Sequence, residues 1–279
     1  MLRKSKRITV GKVVQYLFLA AMGVCFAAPM LFTILAAFKR KTEIFNKPFS
    51  LPETWLFSNF VQAWKGANMS IYFVNSLIQA GCTIVLIAVV SSLAAYALSR
   101  FRFRSNKLIL AFFTIGMMIP IHTVLVPISY MIGALHLKNN IAALVLIYVA
   151  FGLSFSTLIL TNYMREIDKS LEEAALIDGA GYFTIYRRIM LPLSVPAIST
   201  VSIFNFLSTW NNILFPLLFI NDKNLKPISL GLLTFNGEHG SDYGPLMASI
   251  VITVAVPTIL YLVFQEKVEG GLAAGAVKG

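Results

Sequence analysis

Residues 73–98 read FVNSLIQAGCTIVLIAVVSSLAAYAL, 26 positions without one charged side chain. A helix rises about 1.5 Å per residue, so this stretch is long enough to cross the roughly 30 Å hydrocarbon core of a bilayer. Lipid offers no partners to the backbone, and a helix satisfies its own N–H and C=O groups within one segment. A transmembrane helix is therefore expected here. Five more uncharged stretches are comparable: 14–38, 108–132, 141–163, 193–220 and 246–264.

Composition agrees with a chain that lies mostly in lipid. Hydrophobic residues make up 57% of the 279 positions and charged residues 13%, against about a quarter charged in soluble domains. Mean hydropathy is +0.76. The fold class expected is an all-α integral membrane protein with six transmembrane helices. Prolines inside the stretches (Pro29, Pro120, Pro127, Pro196, Pro216, Pro257) predict kinks rather than breaks, because neighbouring helices can re-satisfy freed carbonyls.

The net charge of +11 reads as orientation, not nucleic-acid binding, because the basic residues sit beside the apolar stretches. Arg3, Lys4, Lys6, Arg7 and Lys12 precede the first, and Arg100, Arg102, Arg104 and Lys107 fill the connection between the second and third. The positive-inside rule assigns both segments, and both termini, to the cytoplasm. Lys39, Arg40, Lys41, Lys47 and Lys65 fall on the first outer segment and run against that rule. The opening apolar run is longer than the core of a signal peptide and is expected to be retained as a span. Cys25 and Cys82 lie within spans and describe no disulfide framework.

The longest cytoplasmic connection, 164–192, is the most informative. Ser170-Leu171-Glu172-Glu173 has the form of a capping box, so a helix is expected to start there. Leu171, Ala174 and Ala175 share a face made shallow by the two alanines. Asp178-Gly179-Ala180-Gly181 marks a tight turn with glycines free to take positive φ. A second helix is expected from Phe183, with Ile185 and Ile189 on one side, Arg187 and Arg188 near its end, and a stop before Pro192.

Glu173-Ala174-Ala175, then Gly179 after three residues, then Ile189-Met190-Leu191-Pro192 after nine more, resembles the cytoplasmic signature of the inner-membrane subunits of bacterial ABC importers. The resemblance implies a type I importer fold in which this helix-turn-helix is the loop that couples to a separate ATPase. It implies that role for Glu173, Ala174, Ala175, Gly179, Ile189, Leu191 and Pro192. Asn75-Ser76-Leu77, the run from Ala94 to Arg100, Trp210-Asn211 and the tail from Gly275 to Gly279 are similar to carbohydrate-type permeases of the maltose kind, most of all the smaller six-helix subunit. His122 departs from the glutamine expected after the Ile-Pro turn. The partners implied are a second permease subunit forming a heterodimer, two ATPase subunits, an extracytoplasmic solute-binding protein and a sugar. The organisation expected is an N-terminal region over residues 1–72, a transmembrane core 73–265 containing the coupling loop, and a cytoplasmic tail 266–279.

No G-x-x-x-x-G-K-[ST] loop occurs, so ATP is expected on the partner subunits, with no cofactor in this chain. An ion-coupled carrier, the first alternative, usually holds acidic residues in its spans, and the six stretches contain none. A membrane-embedded enzyme is the second. His122, His136 and His239 are too scattered for a metal site, and no catalytic constellation appears. Asn205, Trp210, Asn211 and Asn212 are polar groups in an apolar run and are expected to face the bundle or a wet cavity. Cross-helix packing is the simpler role for them. Lining a translocation path, together with His122, is the functional one; for His122 itself a hydrogen bond in a helix interior near Pro120 is the plainer expectation.

Overall fold

The computed structural model describes residues 10–236 and 242–276. Arg3, Lys4, Lys6, Arg7, His239 and the last three residues of the tail lie outside them. Among the described residues the regular structure is helical. Its principal elements are α1 (Val10–Ala36), α2 (Met69–Arg100), α3 (Asn106–Met118), α4 (Leu125–Ala134), α5 (Ile141–Glu166), α6 (Ser170–Ile177), α7 (Tyr182–Ile185), α8 (Val195–Asn211), α9 (Leu214–Phe219) and α10 (Tyr243–Ala276). Four of these are long and apolar enough to cross a membrane unaided, and two bent pairs bring the number to as many as six.

The prolines divide into two groups. Pro29 and Pro257 stay inside continuous helices, as expected of kinks. Pro120 does not: the stretch 108–132 breaks after Met118, and its two halves meet at 95°. The chain there is extended through Ile119 and Pro120 and re-enters through a 3₁₀ turn, Ile121–Val124. Proline disfavours the helical conformation in the residue before it, a preference overridden at Pro29 and Pro257 but realised at Pro120, where Ile119 is extended. Pro127, Pro196 and Pro216 each sit in the first turn of a new helix, where a missing N–H costs nothing. The expected fifth span 193–220 is likewise α8 followed by a separate α9, and α10 continues well past the expected span end to Ala276.

The described residues group into two compact units. One draws on Met1–Met69 and Leu232–Ile252, the other on Ser70–Gly231 and Thr253–Gly279. In the first, Ala37, Ala63 and Ala248 are buried with Phe38, Phe60 and Met247 packed around them. Lys39 is fully buried, and its ammonium donates to Lys47 O at 2.7 Å, Pro48 O at 3.1 Å and Ser50 Oγ at 3.3 Å. Asn59 Nδ2 closes the same corner by donating to Ala37 O and Lys39 O.

The second unit has α5 as its hub. Ser156 Oγ of α5 accepts from Asn205 Nδ2 of α8 at 2.8 Å. A side chain on Gly152 of α5 would meet Asn205 and Ile87 of α2, and one on Gly116 of α3 would meet Ser154. Small residues thus let three neighbours approach α5 closely. At one end, Ala143, Leu144, Ile147 and Tyr148 of α5 form a cluster with Phe215, Phe219 and Leu230. At the other, Leu160 and Met164 join Ala95, Tyr96, Ile185, Tyr186 and Met190.

Candidate functional site

The second cluster is the base of the hairpin between α5 and α8. After α5 the chain is extended at Ile167, and Asp168 Oδ1 accepts from Ser170 N at 3.0 Å. That hydrogen bond, with a second from the Ser170 side chain, holds the Asp168 carboxyl below the usual range. The contribution is present above the ordinary carboxylate pKa and is lost as pH falls through the lowered value. α6 starts at Ser170 as expected, but the capping box does not form: Ser170 is the first helical residue, and its predecessor Lys169 makes no side-chain cap. Asp168 supplies the oxygen instead, because an acceptor two residues back reaches the free N–H without distorting the turn.

α6 ends in a Schellman motif. Ala180 N donates to Ala175 O at 2.9 Å and Gly179 N to Leu176 O at 3.0 Å. That pattern needs a left-handed residue between helix end and exit, and Gly179 has φ +80°. Gly181, by contrast, is extended. The motif's usual apolar contact is present too, since Ala175 and Ala180 pack against the same cluster.

The second helix does not stop before Pro192. From Tyr182 it runs through a π-helical turn, Tyr186–Met190, into Leu191–Leu193, and then bends by 71° into α8. Pro192 and Pro196 flank the bend at Ser194, and neither can donate to the carbonyl four residues back.

The signature residues separate by direction. Ala175, Ile189 and Leu191 pack on the basal cluster. Glu173, Ala174, Gly179 and Pro192 are exposed. Around them Ile177 (86%), Phe183 (69%) and Tyr182 (55%) are also uncovered, giving the hairpin an apolar tip.

The residues that fasten this hairpin are far apart along the chain, and no local spacing links them. Arg100, expected as a charge of the basic turn and as the end of the Ala94–Arg100 run, ends α2 with its side chain 4% exposed and forms an ion pair with Glu172 of α6. Its Nη2 also donates to Ile167 O at 2.7 Å. Burial pushes the Glu172 carboxyl up, against the opposing pull of Arg100 and Lys169. Tyr186 OH pairs with Ser92 Oγ at 2.8 Å, and Tyr96 OH donates to Tyr182 O at 3.4 Å. Phe101 stands edge-on to Tyr96 and Tyr182. The one available signal was an arginine directly ending an apolar span, whose acidic partner had to be found in the next long loop.

The polar residues of the expected fifth span scatter. Asn205 is buried and donates to Ser156 Oγ and to Val201 O at 2.7 Å. Trp210 is buried, with Nε1 donating to Thr253 O at 3.1 Å. Asn212 Oδ1 accepts from Phe215 N and starts α9, while Asn211 is exposed. His122 lies in the exposed 3₁₀ turn of the α3–α4 bend and not in a helix interior. A cavity of about 540 Å³ between α2, α8 and α10 is lined by apolar groups such as Leu77, Phe206 and Leu260, with Ser199 and Ser202.

The chain that carries this hairpin has relatives among known proteins. Residues 87–273 match the family described as the binding-protein-dependent transport system inner membrane component. The chain is 38% identical to the probable ABC transporter permease protein YurM of Bacillus subtilis over 97% of its own length and 90% of YurM. It is 34% identical to NgcG, a diacetylchitobiose uptake system permease protein of Streptomyces coelicolor, over 95% of this chain and 88% of NgcG. A chain of a bacterial ABC transporter involved in alginate import has the same fold, with a TM-score of 0.83 at 20% identity, covering 95% of this chain and 99% of that one. With the match spanning both the helical core and the hairpin, this chain belongs to the binding-protein-dependent transport system inner membrane components, the permease subunits of ABC importers, and is a transport component rather than an enzyme.

Proposed function

We propose that this permease takes up a carbohydrate and couples its passage to a separate ATPase through the hairpin 164–192. The observation that carries the coupling role is the uncovered apolar tip of Ile177, Tyr182 and Phe183 beside the glycine-locked corner at Gly179. Large apolar groups on a water-facing loop are stabilised by a protein partner. The likeness to a diacetylchitobiose permease supports a carbohydrate as cargo. In this reading the hairpin and both termini are cytoplasmic. An external binding protein delivers the sugar to a heterodimer of permeases, and two partner ATPase subunits bind the ATP. Their closure, carried through the hairpin, switches the spans between inward- and outward-open states. Asn205, Trp210, Asn211 and His122 are the candidate path residues, with the first two also serving in packing.

Gly179→Val and Glu173→Lys test it. A β-branched residue at φ +80° costs about 1 kcal/mol or more without any clash, because nothing lies within 4 Å of the added Cβ. Lys at position 173 puts a cation at a helix N-terminus and on the exposed face. Both variants should reach the membrane and pair with the second permease, yet lose co-purification with the ATPase or transport-coupled ATP hydrolysis. Full coupling in both would reduce the hairpin to a connector.

A further inference from the structure

We infer that Arg100 is a positioning residue that locks the coupling hairpin to α2, so that the hairpin and the end of that span move as one body. The inference rests on the coupling role proposed for the hairpin. The chain itself joins the hairpin to α8 only through Ser194, at a 71° bend bounded by Pro192 and Pro196. A bend of that kind absorbs rotation, and the apolar cluster that seats the hairpin on α5 and α8 is non-directional, so a fixed direction of movement needs a polar contact as well.

Arg100 supplies it. One guanidinium reaches three places: Glu172 in α6, Ile167 O just past α5, and Met190 Sδ, at 3.7 Å, at the end of the π turn. Its Nη2 bonds the Ile167 carbonyl while its Nε stands against Glu172, two contacts from one rigid plane that a lysine ammonium does not reproduce. The pair is almost excluded from solvent, at 4% and 12% side-chain exposure, so water neither screens it nor competes for its donors. α2 itself is anchored at the same end by Asn106 Nδ2, which donates to Leu98 O and Phe101 O. The Ser92–Tyr186 and Tyr96–Tyr182 hydrogen bonds lie two turns and one turn back along the same helix, and they keep the clamp from pivoting about Arg100.

The measurement is a pair of spin labels in the full chain, on native Cys82 of α2 and on Thr184→Cys of the hairpin, with Cys25→Ser as background. Cys82 and Thr184 are exposed. The parent should give one narrow distance distribution, unchanged when the assembled transporter is trapped with ATP and vanadate. Arg100→Lys and the apolar pair Arg100→Met with Glu172→Leu should broaden it and lower hydrolysis coupled to transport. The exchange Arg100→Glu with Glu172→Arg restores the charge pair but turns a carboxylate toward the Ile167 carbonyl, so it should leave the distribution broad. The apolar pair guards against misfolding, because removing both buried charges leaves neither unpaired. An unchanged distribution in the apolar pair would overturn the inference, and so would loss of all three variants from the membrane, which would assign the contact to folding. Failure of the parent to co-purify with an ATPase would strike the proposed coupling instead, since the distance in the parent needs only this chain.

Discussion

α1 and α5 are nearly indistinguishable as apolar helices and opposite as structural elements. Their spanning segments, Gly11–Ala36 and Ile141–Glu166, each have 26 residues, with mean hydropathies of 2.2 and 2.3. Yet none of the most apolar 18-residue stretch of α1 is buried in the chain, and 56% of that of α5 is. Hydropathy decides whether a segment enters lipid. It does not decide what the segment packs against, because lipid tails are as apolar as leucine and provide no drive to bring helices together. What distinguishes α5 is its buried hydroxyls: Ser154, Ser156, Thr157 and Thr161 all lie inside, on the same helix as buried Gly152. α1 has a single Ser or Thr, Thr33, which is only half-buried and bonds Pro29 O of its own helix.

The largest effect is expected at Gly152. A Cβ there would overlap both Asn205 Oδ1 and Ile87 Cδ1. Ile87 can rotate, but Asn205 is pinned by two hydrogen bonds. Gly152→Val should therefore cost about 2–4 kcal/mol, combining overpacking with a displaced buried amide. A large drop in thermal stability of the purified chain in detergent, with lower membrane abundance, is the expected result. Wild-type stability would show that α5 is not the hub.

Asn205→Leu probes the same difference more gently. It removes the α8–α5 hydrogen bond while keeping volume, and such bonds in membranes average about 0.6 kcal/mol with a ceiling near roughly 1.7. A modest fall in melting temperature is expected, with assembly intact. A loss as large as that of Gly152→Val would mean that the amide does more than pack, and would raise the case for a wet path beside it.

The smallest effect belongs to α1. A Cβ added at Gly23 would meet nothing within 4 Å, so Gly23→Leu should leave the stability of the isolated chain within about 0.5 kcal/mol of wild type. Thermal unfolding of the isolated chain, followed side by side with Gly152→Val, checks the ranking. A marked destabilisation would show that α1 is covered within the chain.

The hairpin is legible in the sequence to a different depth at each of its features. Its position, its two helices and the positive φ of Gly179 all follow from local chemistry, since a helix exit through the left-handed region selects glycine. The cap does not, because Ser170 and Asp168 both offer an oxygen near the helix start, and only the backbone path at Ile167 decides which one reaches an N–H. Arg100 and Glu172 are both visible as charges, but they lie in different loops of the sequence. Their pairing depends on how α2 and α6 are brought together.

By itself the sequence determined an all-helical membrane chain, the apolar stretches, the tight corner at Gly179 and the family signature around it. These are local properties: a run's length against the bilayer, a residue's φ, a spacing along the chain. Tertiary structure alone decided that Pro120 ends a helix where Pro29 and Pro257 do not, that α5 and not α1 is the hub, and that Arg100 clasps the hairpin. A proline's freed carbonyl, an apolar face and a buried charge each find their energetic outcome in their neighbours, and those neighbours are set by packing.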